Sequence, residues 1–283
     1  MTANRSAVDV FWNLATLMDD YALELPSDRL AADALDVDCL RQGSRVCLPL
    51  SRGRSLAEAV AAAARIVAAG MRPVVTMAVP DAAESSDFDR ALDELAAAGV
   101  RELVLLWPAT ASLTEMLDEV TRVVRWGDPG RRGFTEIGVG NGGHGVGNGG
   151  HEPSADLLRA FEDAGAASVD HDVGLTLLTP VARSVECATD WERTLRAAGN
   201  IFPVRVRLPG ITPDPFRRTV PVLLGIAAAA QEDPGCLIFD VQFVLRGHAR
   251  RTSVFADEIR SGNFVVEDGD YGYQLSMLPE RKI

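Results

Sequence analysis

A chain of 283 residues with 28 Lys+Arg against 40 Asp+Glu carries a formal charge of −12. Such a surface repels phosphates at long range, which excludes a general nucleic-acid binder. An apolar content of 47% excludes a disordered chain, and at this length it supplies a core that buries roughly three-quarters of the unfolded surface. Lys282 is the only lysine, so a Schiff-base enzyme and a Walker A loop are both excluded. Cys39, Cys47, Cys187 and Cys236 form neither a CxxC pair nor a zinc spacing. They read as reduced thiols in a cytoplasmic protein. The longest apolar run, Val222 to Ala230, is too short to cross a bilayer, and the start of the chain, with Asp9, Asp19 and Asp20, lacks a signal pattern. No membrane partner is expected.

In chain order, short Val/Leu/Ile-rich stretches alternate with longer amphipathic ones, which implies β/α units. A helix from Val8 to Tyr21 precedes a strand from Tyr21 to Leu25, then an acidic helix over 28–42 and a strand from Arg45 to Leu50. Ser55 with Glu58 resembles a capping box opening a helix that Gly70 stops. A strand from Pro73 to Val79, a helix from Ser86 to Ala98 ending at Gly99, and strands from Glu102 to Trp107 and Thr135 to Val139 follow. Pro153 and Ser154 open a helix expected to stop at Gly165, and the last strands are Val173 to Leu178, Val204 to Leu208 and Leu237 to Val244. Eight strands with helix-sized gaps predict an α/β fold, a (β/α)8 TIM barrel with an extra N-terminal helix. An open doubly wound sheet is the competing architecture. With no Pro/Gly/Ser-rich linker, the chain reads as one domain with a C-terminal tail from about Gly262.

The heptapeptide VGNGGHG at 139–145 is repeated as VGNGGHE at 146–152. Gly138, Gly140 and Gly143 match a dinucleotide fingerprint, but a second glycine copy stands where the helix should open. His144 and His151 with His171 and Asp170 or Asp172 offer a second reading as metal ligands, for which a glycine loop gives little geometric support. A mobile lid or tolerated insertion without metal is the expectation, on the catalytic face if the barrel is correct.

In a barrel, function concentrates at the C-terminal ends of strands: Glu24, Ser51 and Arg52, Thr76, Trp107, Asn141 and His144, Thr176 and Thr179, and Gln242 with Arg246. Glu24 interrupts the apolar run Ala-Leu-Glu-Leu-Pro. A carboxyl there either acts at the mouth as a general acid with a raised pKa, or pairs with an arginine at the rim. Trp107 either stacks on a planar ligand or belongs to the core. No Ser/His/Asp or Cys/His order at motif spacing supports nucleophilic hydrolysis.

The order of motifs resembles the methylenetetrahydrofolate reductase family from about Tyr21 to Pro213. The residues carrying the likeness are Ala-Leu-Glu24-Leu-Pro26, Arg72-Pro-Val-Val-Thr76, Gly99-Val-Arg-Glu-Leu-Val-Leu-Leu and Ile137-Gly-Val-Gly with a histidine and Glu-Pro following. Asp156-Leu-Leu before Asp163-Ala-Gly-Ala, Gly174-Leu-Thr-Leu-Leu and Leu208-Pro-Gly-Ile-Thr-Pro213 complete the series. The resemblance implies a flavin-dependent barrel of one-carbon metabolism, with FAD and NAD(P)H as cofactors and a folate-type small molecule as substrate. It implies Glu24 as the catalytic acid, Thr176 on the substrate, and Thr76, Trp107, Asn141, His144, His151, Asp156 and Arg159 on the cofactor side. A homo-oligomer or a partner subunit is compatible with it.

The sequence departs from the family at three places. The family's Arg-Gly-Asp-like turn after the fourth strand reads Trp107-Pro108-Ala109, the Thr-Gln pair of the sixth strand reads Thr176-Leu177, and the basic residues for the flavin pyrophosphate shrink to Arg159. Two readings follow. One is a divergent reductase-like oxidoreductase acting on a folate-bound one-carbon unit; the other is a noncatalytic barrel relative serving as a pterin-binding or partner subunit.

Overall fold

Eight parallel strands pair in chain order and close on themselves, β8 against β1. They are β1 (Ala22–Glu24), β2 (Arg45–Leu50), β3 (Arg72–Ala78), β4 (Glu102–Trp107), β5 (Glu136–Asn141), β6 (Gly174–Val181), β7 (Val204–Pro209) and β8 (Ile238–Val244). Helices α1 (Leu56–Ala68), α2 (Ser86–Ala97), α3 (Leu113–Gly127), α4 (Ala155–Asp170), α5 (Val185–Ala197) and α6 (Pro213–Glu232) follow β2 to β7 in turn. The protein is a (β/α)8 barrel. This computed structural model describes residues 14–25, 40–50, 55–79, 86–108, 111–141, 154–209 and 213–244. Of the N-terminal helix, 14–17 are helical and the part before 14 lies outside the described residues, as do most of the expected helix over 28–42 and the tail from Gly262.

Local chemistry places the helices. Ser55, Ser112, Ser154 and Ser184 each accept a hydrogen bond from the backbone N–H three residues on, and Glu115 reaches back to Ser112 to complete a capping box. Gly70, at φ +79°, turns the chain from α1 into β3. The expected stop at Gly165 does not occur, and α4 continues to Asp170. A Cβ at Gly165 would sit 3.9 Å from Ile201 and Phe202, an ordinary contact, so this glycine lies inside the helix against its neighbours and ends nothing.

Strand alternation divides the core in two. Ala22, Cys47, Val74, Val104 and Leu178 fill the barrel, whereas Leu23, Val46, Val75, Leu103, Ile137, Leu175, Val206 and Phe243 pack outward against the helices. At the strands' N-terminal ends the filling is ionic. Arg45 pairs with Glu102 at 3.2 Å and with Asp240, and Arg205 pairs with Asp240 at 2.9 Å and Glu136 at 2.8 Å. Arg72 and Asp20 close the rim of this floor. Burial pushes the Glu102 and Asp240 carboxyls up from their ordinary range, against the pull of the two guanidiniums. Burial also works against the charge on Arg205, but Asp240, Glu136 and Glu102 outweigh it and hold the guanidinium above its ordinary value. Between β7 and β8 the register slips at Phe239, whose ring lies 5.9 Å from the Arg205 guanidinium carbon.

Candidate functional site

The register fixes which side chains share a level of the barrel, because alternate strands contribute to one layer. Glu24, Thr76, Gly140 and Arg207, from β1, β3, β5 and β7, form the layer at the mouth. Cys47, Val104, Leu178 and Gln242, from the intervening strands, form the one beneath.

Glu24 is the centre of the polar half. Arg207 donates from Nη2 to its Oε2 at 3.1 Å, and Gln242 donates from Nε2 to the same oxygen at 2.7 Å. The pairing with an arginine, one of the two alternatives for Glu24, is what the structure shows, and the arginine comes from β7. A register shift between Leu178 and Val181 of β6 helps to place it. Thr179 in that bulge accepts from the Arg207 backbone N–H at 3.0 Å and donates to the Pro180 carbonyl at 2.7 Å.

Around this triad, Thr76 Oγ1, Arg207 Nε and Gln242 Oε1 are buried and have no hydrogen-bond partner among the described residues. A buried polar atom left unpaired is costly and points to an occupant. The other half of the mouth is apolar. A Cβ at Gly140 would come within 3.2 Å of Leu106 Cδ2 and Leu178 Cβ, so these two leucines use the space that the glycine leaves. Cys47 lies below Glu24, fully buried; burial and then the Glu24 charge push its thiol up, so it is no nucleophile.

The remaining candidates are dispersed. Thr76 shares the Glu24 layer. Thr176 faces the interior but is the third residue of β6, level with Arg45, Glu102 and Asp240 on the ionic floor, because β6 runs on to Val181. Trp107 lies on the opposite alternation of β4, with Leu103 and Leu105, and is 7% exposed in the core between barrel and helices. Its role as a stacking surface is therefore corrected to a packing role. Asn141 ends β5 opposite Trp107 in register. Asp156 and Arg159 are exposed residues in the N-terminal turns of α4. His144 and His151 lie outside the described residues. His171 caps the far end of α4 and pairs through Nδ1 with Asp128 Oδ1 at 2.8 Å. The length of that helix, roughly 24 Å at 1.5 Å per residue, separates it from the end at which the glycine segment joins.

Among the described residues no group of three His, Cys, Asp or Glu is arranged to hold a metal. Two of the described residues implied for a flavin do not fit one as placed: the Trp107 indole packs in the core between barrel and helices, and the Arg159 cation is exposed on α4. The sequence reading missed Arg207 altogether and left Gln242 as a strand end without a role. The available signal was Arg205-Val-Arg207, two cations at a spacing of two on one buried strand.

No family model and no curated protein matches the chain. Among solved structures it is similar to a protein named as a phosphonomutase from Burkholderia cenocepacia, with 16% identity, 89% of this chain and 98% of that one covered, and a TM-score of 0.47. It is also similar to a deoxyribose phosphate aldolase from Aeropyrum pernix, with 13% identity, 91% and 99% covered, and a TM-score of 0.41. A xylose isomerase domain protein from Planctomyces limnophilus gives 13% identity, 86% and 95% covered, and a TM-score of 0.38. Likeness at this level carries no argument about chemistry.

Proposed function

We propose that the barrel mouth is an active site and that Glu24 exchanges a proton with the substrate there. The observation that carries this reading is the Glu24–Arg207–Gln242 constellation, with both donors on one carboxylate oxygen. Among the described residues the hydrogen bonds to Glu24 end on Oε2, and two rigid strands supply them, so the carboxylate is oriented before a substrate arrives. Oε1 is then the oxygen that meets the substrate.

The finer proposal, which rests on the motif order, is reduction of a folate-bound one-carbon unit in which the Glu24 carboxylate takes up a proton from water and passes it to the substrate nitrogen. NAD(P)H would supply the hydride directly, since Trp107 packs in the core outside the barrel and Arg159 is exposed on α4. The dispersal of those residues favours a second reading, a noncatalytic pterin-binding or partner subunit. Oxidation of NADH or NADPH by the purified protein with methylenetetrahydrofolate separates the two. Substrate-dependent oxidation without added flavin supports the reductase; folate binding with no oxidation supports the noncatalytic relative.

A further inference from the structure

The mouth layer and the layer beneath it contain one carboxylate, Glu24, and one guanidinium, Arg207, and these are paired with each other. The other members are Thr76, Gly140, Cys47, Val104, Leu178 and Gln242, none of them charged in place: burial keeps the Cys47 thiol protonated. The pair is nearly withdrawn from water, with side chains 9% and 14% exposed. A ligand bringing a net charge to this level would find no uncommitted counter-charge among the described residues, in a setting where an unpaired ion is strongly disfavoured.

The unpartnered atoms define the complementary requirement. Arg207 Nε is only a donor, Gln242 Oε1 only an acceptor, and Thr76 Oγ1 is either. Arg207 and Gln242 are register partners, so the donor and the acceptor come from neighbouring positions on adjacent strands. Leu106 and Leu178 supply an apolar wall over Gly140.

We infer that the group bound at this level is an uncharged carboxamide, whose oxygen accepts from Arg207 Nε while its N–H donates to Gln242 Oε1. The amide carries its acceptor and donor on adjacent atoms of one plane, which matches the paired strands; its carbon skeleton lies against Leu106 and Leu178. This inference rests on the assignment of the mouth as the ligand site and not on the folate reading. A lone buried water can also bridge a donor and an acceptor, and is the competing occupant.

Acetamide, acetate and acetamidinium share one shape and differ in charge, and the Arg207 Nε–Hε resonance of the full-length protein reports on each. Acetamide is expected to shift that resonance saturably, with acetate and acetamidinium at least tenfold weaker. Gln242→Met, similar in volume but without the acceptor, should weaken the acetamide response by tenfold or more. If Gln242→Met fails to fold, the three probes on the wild-type protein still decide. A charged probe that saturates as readily as acetamide overturns the uncharged-ligand inference and leaves the mouth as a site. No saturation with any probe overturns both, and leaves water as the occupant.

Discussion

Arg207 and Glu24 sit on strands separated by β8, yet the guanidinium reaches the carboxylate at 3.1 Å, and Gln242 of the strand between them donates to the same oxygen. The three side chains tie β7, β8 and β1 together at the point where the barrel closes. Closure and the candidate chemistry therefore depend on the same contacts.

Removing the cation should show this double role. Arg207→Met keeps an apolar stem but leaves Glu24 a poorly solvated charge without its partner. We expect a loss of stability of about 2–4 kcal/mol, measured by urea unfolding, together with loss of turnover. Unchanged stability would mean that the pair is dispensable for closure.

The ionic floor should be the more sensitive end. Asp240 receives both Arg45 and Arg205 and is 1% exposed, so Asp240→Asn leaves two buried guanidiniums short of a counter-charge. The expected cost is about 3–5 kcal/mol, visible as a fall in the denaturant midpoint without a change in slope.

Asp128 contributes with the opposite exposure and a defined pH sign. Its hydrogen bond with His171 holds its carboxyl below the ordinary aspartate range. A carboxyl depressed in the folded state stabilises above its unfolded pKa, about 4, and that contribution disappears as pH falls through the folded value. Because the pair lies part-buried at the surface, where solvent still screens it, the effect is only about 0.5 kcal/mol. Asp128→Asn, in which asparagine tolerates the residue's φ of 38°, should lower stability at pH 7 and coincide with wild type near pH 2. A difference that persists in acid would assign the effect to packing.

Flavin provides a further check. The purified protein is expected to be colourless, since Trp107 is packed in the core and Arg159 is exposed on α4. Stoichiometric flavin bands in the visible spectrum would contradict that placement.

Much of the barrel was legible from period. All eight expected strands form, because each is a short apolar stretch set off by a helix-sized gap, and four of the intervening helices carry their own serine cap. Glu24 stood out because a carboxyl in an apolar run has few structural uses. The faces were harder. On β4, Glu102 and Trp107 lie on opposite alternations, so both cannot face the interior, and only the strand register shows that Glu102 does. Arg207 and Gln242 meet Glu24 across 183 and 218 residues of sequence, which local spacing does not encode. Thr176 was misplaced in height because the extension of β6 past Leu178 depends on a bulge that periodicity does not announce.

Turnover of Glu24→Gln compared with wild type is the most direct test of the central claim. The substitution keeps the size of the side chain and removes its proton exchange. With methylenetetrahydrofolate and NAD(P)H, kcat should fall by roughly 10²–10⁴-fold, the range of a lost acid–base group, with the fold retained at a lower stability because Arg207 loses its counter-charge. An active wild-type protein whose Glu24→Gln variant keeps full turnover would contradict the role assigned to the barrel mouth.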